Sequence, residues 1–528
     1  FKYISFSLLI FKLLSILCSD SSMSAEIAEA SQMDLSSSVA DADIDKSPQV
    51  KKEERTENSE TTSSIESTEQ TQGVSLDSSS PQQEHLHFLT EKCESNEQCK
   101  SMNRCQEGEC YHEGFLPLKP RVIVGVVLLF IGLSFSSGVG LGGGGIVLPI
   151  LILVLNFYSH QAIPLSKSII FSNSFISFLL HLTERHPLKN SVSIDYTVAS
   201  LLIPGLLMGT IIGVYINKLV QGVLLTCVLS LILLVLSVRM SIKGYNMARY
   251  EIAMTSESAP LEESQRELDH NTNNVSQSVY VDNNMSTEVN EEIAKDNQLC
   301  PVDRVVFIFL TYLGFLVFIL LTNTKMLGDI FSENKCGTPY LLSIVVLDIF
   351  LLIMTFFIGH YTIKEFENRK SIGYRFCRFD VNWSSKVILK VVFYGILVGV
   401  IAGSLGVGGG VILSPMLLEL GVEPLVCSHT TNFLVVFTSS STLIQFYLQH
   451  LLVVDYASFT ILIPIFSAII GVKLMKYLIE KIKKTYPLIV SLALVLITSS
   501  VSLFIYGFHR VYTEKNKYKI FYLGEACE

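Results

Sequence analysis

From Val122 onward the chain alternates long apolar runs with short polar breaks, and one long polar stretch interrupts it near the middle. A helix that crosses a bilayer needs about 20 mostly apolar residues. Read against that length, the runs predict helical segments at 122–137, 141–157, 165–182, 196–216 and 219–238 in a first half. Two more follow at 303–322 and 341–360, and a second half gives 387–403, 408–420, 428–450, 456–476 and 487–508. Several of these fall near or below the length of a full crossing. The fold class predicted is an all-α polytopic membrane protein of about 10–12 transmembrane segments.

Two segments are broken by glycine. The apolar run from Val122 to Phe157 is too long for one simple crossing and carries Gly138, Gly140, Gly142, Gly143, Gly144, Gly145 and then Pro149. That composition interrupts a helix. Irregular backbone at membrane depth survives only where protein buries it or a polar cavity hydrates it. Gly140-Leu-Gly142-Gly143-Gly144-Gly145-Ile-Val-Leu-Pro149 then returns as Gly406-Val-Gly408-Gly409-Gly410-Val-Ile-Leu-Ser-Pro415. The repetition continues: Asp195-Tyr196, Ile203-Pro204 and Ile212-Gly213-Val214 recur as Asp455-Tyr456, Ile463-Pro464 and Ile470-Gly471-Val472. Matched glycine-broken segments in two halves point to a secondary transporter with its site where they meet. Pro149, Pro415, Pro204 and Pro464 are read as structural.

The polar regions complete the domain plan. Residues 1–22 read as a secretory signal peptide, with an uncleaved N-terminal anchor as the alternative. Residues 23–90, rich in Ser, Glu, Thr and Gln, are expected to be disordered. Within 91–115, Cys93, Cys99, Cys105 and Cys110 suggest a small two-disulfide module in an oxidising compartment. A metal site is the weaker reading there, because CxxC pairs are absent and only His112 is close. A first membrane repeat spans 121–239, a flexible acidic loop 240–300, two linking helices 301–362, a second repeat 386–508, and a tail 509–528. The formal net charge is −9 and no basic domain is present, so a nucleic-acid partner is excluded.

Charge also orients the chain. Arg185/Lys189, Arg239/Lys243/Arg249, the run from Lys364 to Lys386, and Lys481/Lys483/Lys484 belong on the cytosolic side. All four fall there if each glycine-broken segment crosses twice, or enters and returns, but not if it crosses once. The same counting makes the two repeats inverted. The membrane is expected to lie on the secretory route or at the cell surface.

Several side chains are candidates for binding a small anion. The backbone N–H groups of Gly142, Gly143, Gly144, Gly145, Gly408, Gly409 and Gly410 can approach an anion, and the helices that follow present positive dipole ends. The structural alternative is close helix packing. Lys167, flanked by Ser166 and Ser168 with Asn173 beyond, could neutralise the anion or snorkel to headgroups. Ser428, His429, Thr430, Thr431 and Asn432 occupy the matching place in the second half. His429 could bind the anion when protonated, or relay a proton, or join two helices. Asp348, mid-span but outside the repeats, is a weaker candidate for proton coupling. Nucleophile–base and metal motifs are absent, so neither an enzyme nor a cofactor is expected.

At the glycine motifs the chain from about Val122 to about Gly507 resembles the TauE/SafE, or sulfite exporter, family of membrane permeases, in its plant and protist branch. The residues that carry this are the two glycine blocks, Ile163-Pro-Leu-Ser166-Lys167-Ser168, Arg185-His186-Pro187, Ile194-Asp195-Tyr196, Glu419-Leu-Gly421, Thr438-Ser439-Ser440-Ser441 and Tyr447-Leu448. The resemblance implies carrier-type movement of sulfite, sulfonates or related small sulfur-containing anions. Together the readings predict a secondary transporter with alternating access, its site between the glycine motifs and with proton coupling in view. The alternative is a membrane receptor or scaffold on a degenerate transporter core.

Overall fold

The computed structural model describes residues 103–106, 109–112, 119–186, 191–220, 222–266, 292, 295, 298, 301–323, 338–374, 376, 380–449, 451–452, 454–482, 484 and 486–513. The readings made for 1–22 and 23–90, Cys93 and Cys99, and the tail beyond 513 lie outside these residues. β1 (Asn103–Gln106) and β2 (Glu109–His112) form an antiparallel hairpin with Cys105 opposite Cys110. It lies ahead of the membrane part of the chain. The membrane part is helical among the described residues.

Thirteen helices follow in the described residues: α1 (Pro120–Val139), α2 (Gly144–Leu153), α3 (Ser159–His181), α4 (Tyr196–Leu219), α5 (Gly222–Arg266), α6 (Val302–Asn323), α7 (Thr338–Ser371), α8 (Ser385–Leu405), α9 (Gly410–Glu419), α10 (Pro424–Leu448), α11 (Val454–Thr460), α12 (Leu462–Ile482) and α13 (Tyr486–Thr513). Nine described segments are long and apolar enough to cross a membrane, and α2 and α9 are shorter apolar helices. α10, 25 residues long, is thick with hydroxyl side chains. α5 runs through Arg266, so the stretch from 240 to 266 is helix rather than the flexible loop the charge pattern suggests. At 1.5 Å per residue its 45 residues span about 67 Å, more than twice the hydrocarbon thickness.

The glycines act where the helices stop and restart. α1 ends on Gly140 in the left-handed conformation, and its N–H donates back to Ser136 O and Ser137 O. Gly142 and Gly143 (φ 66° and 92°) turn the chain into α2. In the second half Gly406 ends α8, and Gly408 and Gly409 (φ 75° and 70°) turn it into α9. A left-handed residue with a Cβ costs about 1–2 kcal/mol, and each turn needs several in succession.

Each broken segment enters and returns on one side. Gly125 of α1 packs on Leu155 beyond α2, and Gly132 packs on Ile146. At the opposite face, residues before α8 (Asp380, Val381, Trp383) and after α9 (Val422, Glu423) line one cavity. That cavity also collects His186, Lys295 and Arg369, while Lys476 of α12 pairs with Glu184 and Arg239 of α5 with Glu419. The basic loops therefore share a face, which the positive-inside rule makes cytosolic. One re-entrant pair comes from each side, and the repeats are inverted.

The repeats clasp each other. α4 and α8 approach through Gly205, Gly209 and Gly213 against Gly395, Gly399 and Gly403, spaced one turn apart on both helices. A Cβ on Gly209 would collide with Ile396 O, and one on Gly399 with Leu206 O. At the related place, α1 and α12 meet through Gly138 and Gly471. In lipid, such close backbone approach replaces the hydrophobic drive for helix association. α6 and α7 sit against α4, and the Tyr312 hydroxyl of α6 donates to Ser440 of α10 at 2.7 Å. Large apolar side chains such as Leu231, Phe356, Phe357, Leu389 and Phe393 face outward, where acyl chains would cover them.

Candidate functional site

The two glycine turns meet tip to tip near the middle of the bundle. Gly144 is pressed against Val407 O, so a Cβ there would overlap the carbonyl. Reciprocally, a Cβ on Gly410 would lie 2.7 Å from Leu141 O. The starts of α2 and α9 thus converge from opposite faces, as the repeated motif predicts, and both begin on a glycine with no side-chain cap. Two helix N-termini aimed at one region favour negative charge between them.

α3 and α10 close the flanks and trade partners symmetrically. From α3, Ser166 Oγ donates to Gly406 O (2.8 Å) and Lys167 Nζ to Ala402 O (2.6 Å), at the C-terminus of α8. From α10, Asn432 Nδ2 donates to Ser137 O (3.2 Å) and Ser428 Oγ lies 3.4 Å from Gly138 O, at the C-terminus of α1. Each flanking helix satisfies end carbonyls of the opposite repeat's broken helix. Lys167 is fully buried, and its cation sits at the negative end of a helix dipole. Ser168 turns back to Leu165 O (2.8 Å) on its own helix.

Other polar groups at the centre have no protein partner. Among the described residues, both amide atoms of Asn173, Ser174 Oγ, Ser136 Oγ and Asn432 Oδ1 are buried without a hydrogen bond. Ser174 adjoins Gly142 and Asn432 adjoins Ser137, beside the first glycine turn; with Asn173 and Ser136 next to them in the sequence, they make up a candidate ring of polar groups. Thr431 sits on the Cys427 side of α10, with its hydroxyl toward the Cys427 thiol. Gly408 packs on Ile170 of α3, and Gly145 faces Ser499 of α13.

His429 and Thr430 are not part of this ring. His429 Nδ1 is 2.6 Å from Ser193 Oγ, and Thr430 Oγ1 accepts from the N–H of Asp195 at 2.9 Å. Both partners lie on the cytosolic hairpin before α4. Lys167 and His429 therefore flank the glycine turns on opposite sides and do not form one pair of anion ligands. The reason is the inversion: α3 and α10 run antiparallel, so the sequence-equivalent clusters near their starts end up at opposite depths. Sequence reasoning missed Ser136, Ser174, Ser193 and His181, whose ring stacks on His429. Ser136 and Ser174 look like packing residues in the sequence, and only their lack of partners among the described residues singles them out.

Asp348 stands half-buried on α7, outside both repeats, with Oδ1 unpartnered among the described residues. Glu419 pairs with Arg239 at 3.2 Å with both side chains exposed, as suits a segment end.

A cavity of about 210 Å³ opens on the cytosolic face. Ser191, Val192, Ile194 and Asp195 form its inner wall, and Arg304, Glu365, Arg369 and Glu423 stand around it. Arg304 is buried against Thr362 (2.7 Å) and the Glu365 carboxylate, and Glu365 also takes Arg369 at 3.0 Å. Asp195 and Glu423 cap the N-termini of α4 and α10, each carboxylate accepting two backbone N–H bonds. Burial pushes the Glu423 carboxyl up from its ordinary value, against the pull of the two N–H donors. Lys295 at the rim is held above its ordinary value by its hydrogen bond to Glu292.

The profile of the sulfite exporter TauE/SafE family matches residues 123–276 and 302–503. Among curated proteins, the chain is 28% identical to sulfite exporter TauE/SafE family protein 3 of Arabidopsis thaliana over 386 residues, covering 72% of this chain and 78% of that protein. It is 25% identical to family protein 2 of the same plant over 412 residues, 75% of this chain and 85% of that protein. No solved structure matches the chain.

Proposed function

This chain belongs to the sulfite exporter TauE/SafE family, a family of membrane transporters, and from that premise we propose that it is a secondary carrier of small sulfur-containing anions such as sulfite or simple sulfonates. The anion sits between the two glycine turns. Asn173, Ser174, Ser136 and Asn432 supply polar contacts, the N-termini of α2 and α9 supply positive dipole ends, and Lys167 supplies charge from one side. Alternating access rocks one inverted repeat against the other around this point.

One observation carries the reading. Among the described residues, the Asn173 amide, Ser174 Oγ, Ser136 Oγ and Asn432 Oδ1, drawn from both repeats, are buried without a protein partner in the part of the bundle where two helix N-termini converge. A buried amide or hydroxyl left unpaired costs about 1–3 kcal/mol. A site that retains several such groups is organised for something polar that arrives from outside. Six residues of helix, about 9 Å, separate Lys167 from Asn173, so the cation acts on the anion's path rather than as a direct partner of the ring.

The test is flux of labelled sulfite, sulfate and ethanesulfonate into proteoliposomes, wild type against Asn173→Leu. Leucine fills a similar volume and removes no side-chain hydrogen bond among the described residues. The expected result is a folded variant, at least as heat-stable as wild type, whose saturable flux falls at least tenfold. Unchanged flux in Asn173→Leu removes the proposed site. Absence of flux for every anion in the wild type removes the carrier reading in favour of a receptor on this scaffold.

A further inference from the structure

The last residue of α3 and the sixth residue of α10 are both histidine, one from each repeat, and their rings lie face to face. The centroids of His181 and His429 are 3.8 Å apart with 24° between the planes. His181 is 5% exposed and His429 3%. Neither ring nitrogen of His181 has a protein partner among the described residues. His429 Nδ1 has one, the Ser193 hydroxyl at 2.6 Å. We infer that His181 and His429 form a single proton-carrying pair that couples movement of the anion to movement of a proton. The inference rests on the carrier reading and names its coupling ion.

The chemistry of the partners fits that role. A carboxylate beside Nδ1 would favour the charged ring, and a backbone N–H would favour the neutral one. A hydroxyl does neither exclusively: it donates to a bare Nδ1 and accepts from a protonated one. Ser193 therefore keeps its bond to His429 in either state. Two imidazolium charges at 3.8 Å would repel strongly, so the pair carries one proton and not two. The face-to-face ring contact lets the neutral ring lie over the charged one.

The charged and titratable groups on the surrounding elements are few. The hairpin between α3 and α4 contributes Glu184, Arg185, His186 and Asp195, the start of α4 contributes Tyr196, whose ring meets Phe433 of α10, α12 contributes Lys473, Lys476, Glu480 and Lys481, and the head of α10 contributes Glu423 and Cys427. Lys476 is close enough for its charge to act on both rings, and Glu184 holds it in an ion pair at 3.0 Å. No carboxylate hydrogen-bonds either ring among the described residues.

Position completes the argument. Ser193 belongs to a narrow strand of chain, held by Ser193 N–H to Glu184 O (3.1 Å) and His186 N–H to Ser191 O (2.8 Å). Its neighbours Val192 and Ile194 line the cytosolic cavity, so the chain that holds the pair through Ser193 also borders water-accessible space. On the other side, eight residues of α3, about 12 Å, lead from His181 to Asn173. The pair stands between the cytosolic mouth and the anion site, and it joins the two bodies that rocking would separate. A proton is taken from water on one side, held on an imidazole nitrogen while the anion is bound, and returned to water on the other. No other bond is made or broken.

The test uses the full-length protein in liposomes loaded with a pH-sensitive dye, with labelled ethanesulfonate, whose own charge stays constant between pH 5 and 8, and with sulfite. Wild type is expected to acidify the lumen in step with uptake and to be driven by an inward proton gradient. His181→Phe keeps a ring to stack on His429 but has no nitrogen to protonate. It is expected to melt within a few degrees of wild type, to retain anion exchange without a gradient, and to lose at least tenfold of the gradient-driven component. His181→Gln serves as a second variant with the same expected loss, and Ser193→Ala is expected to move the pH profile of uptake. Wild type moving anion with no proton, or His181→Phe coupling as wild type does, overturns the pair alone. A wild type that moves no anion overturns the carrier reading and this one with it.

Discussion

Lys167 shows how much a residue's meaning depends on its depth. In the sequence it is a lone cation at the start of an apolar segment, equally suited to an anion or to a headgroup. In the fold it is fully buried and bonded to Ala402 O, so snorkelling is excluded and capping of a broken helix is its first job. Glu423 offers a residue-scale prediction. It caps α10, and burial makes its charged form the costlier one in the fold. A carboxyl whose folded pKa is raised loses stability for the protein as pH climbs from the unfolded value, about 4.3, through the folded one. Glu423→Gln keeps a capping oxygen and removes that titration. Its melting temperature in detergent is expected to exceed wild type at pH 7 and to match it at pH 4; an equal gap at both pH values would contradict this.

Among the helices, glycine is used in two separable ways. In the turns at Gly142–Gly143 and Gly408–Gly409 it allows positive φ, and along α4 and α8 it allows contact. Alanine substitutions distinguish them. Gly209→Ala drives a methyl into Ile396 O and is expected to abolish the folded, monodisperse protein in detergent chromatography. Gly395→Ala meets Leu202 O at 3.3 Å, which a small shift relieves, and is expected to fold with a modest loss of melting temperature. Gly421→Ala has open space around it but φ 95°, and is expected to cost about 1–2 kcal/mol of stability. Equal tolerance at all three positions would mean that α4 and α8 are not in backbone contact.

At the scale of the whole molecule, the arrangement predicts which loops meet which compartment. A short epitope inserted after Gly373 is expected to be reached by antibody once the plasma membrane is selectively opened to the cytosol, and one inserted after Asn156 only from the opposite face of the membrane. Reversal of either result would break the inverted topology. Much of this architecture was legible in the chain. Twelve apolar segments, two copies of one glycine block and the clustering of arginine and lysine on alternate loops determine helices, breaks, repeat and orientation, because those properties depend on local composition and on transfer into lipid. Helix through Arg266 was hidden, since polar surface helix and polar loop share a composition. Of the proposed site, only part was legible. The glycine turns and Asn173 stood out, but the sequence grouped Lys167 with His429, and gave Ser136, Ser174 and His181 no distinction. Which side chains face one another across the bundle is set by how two antiparallel helices, α3 and α10, pack at equal depth, and whether a buried hydroxyl lacks a partner depends on every neighbour it has. Those are long-range properties of packing, and only the tertiary structure decides them.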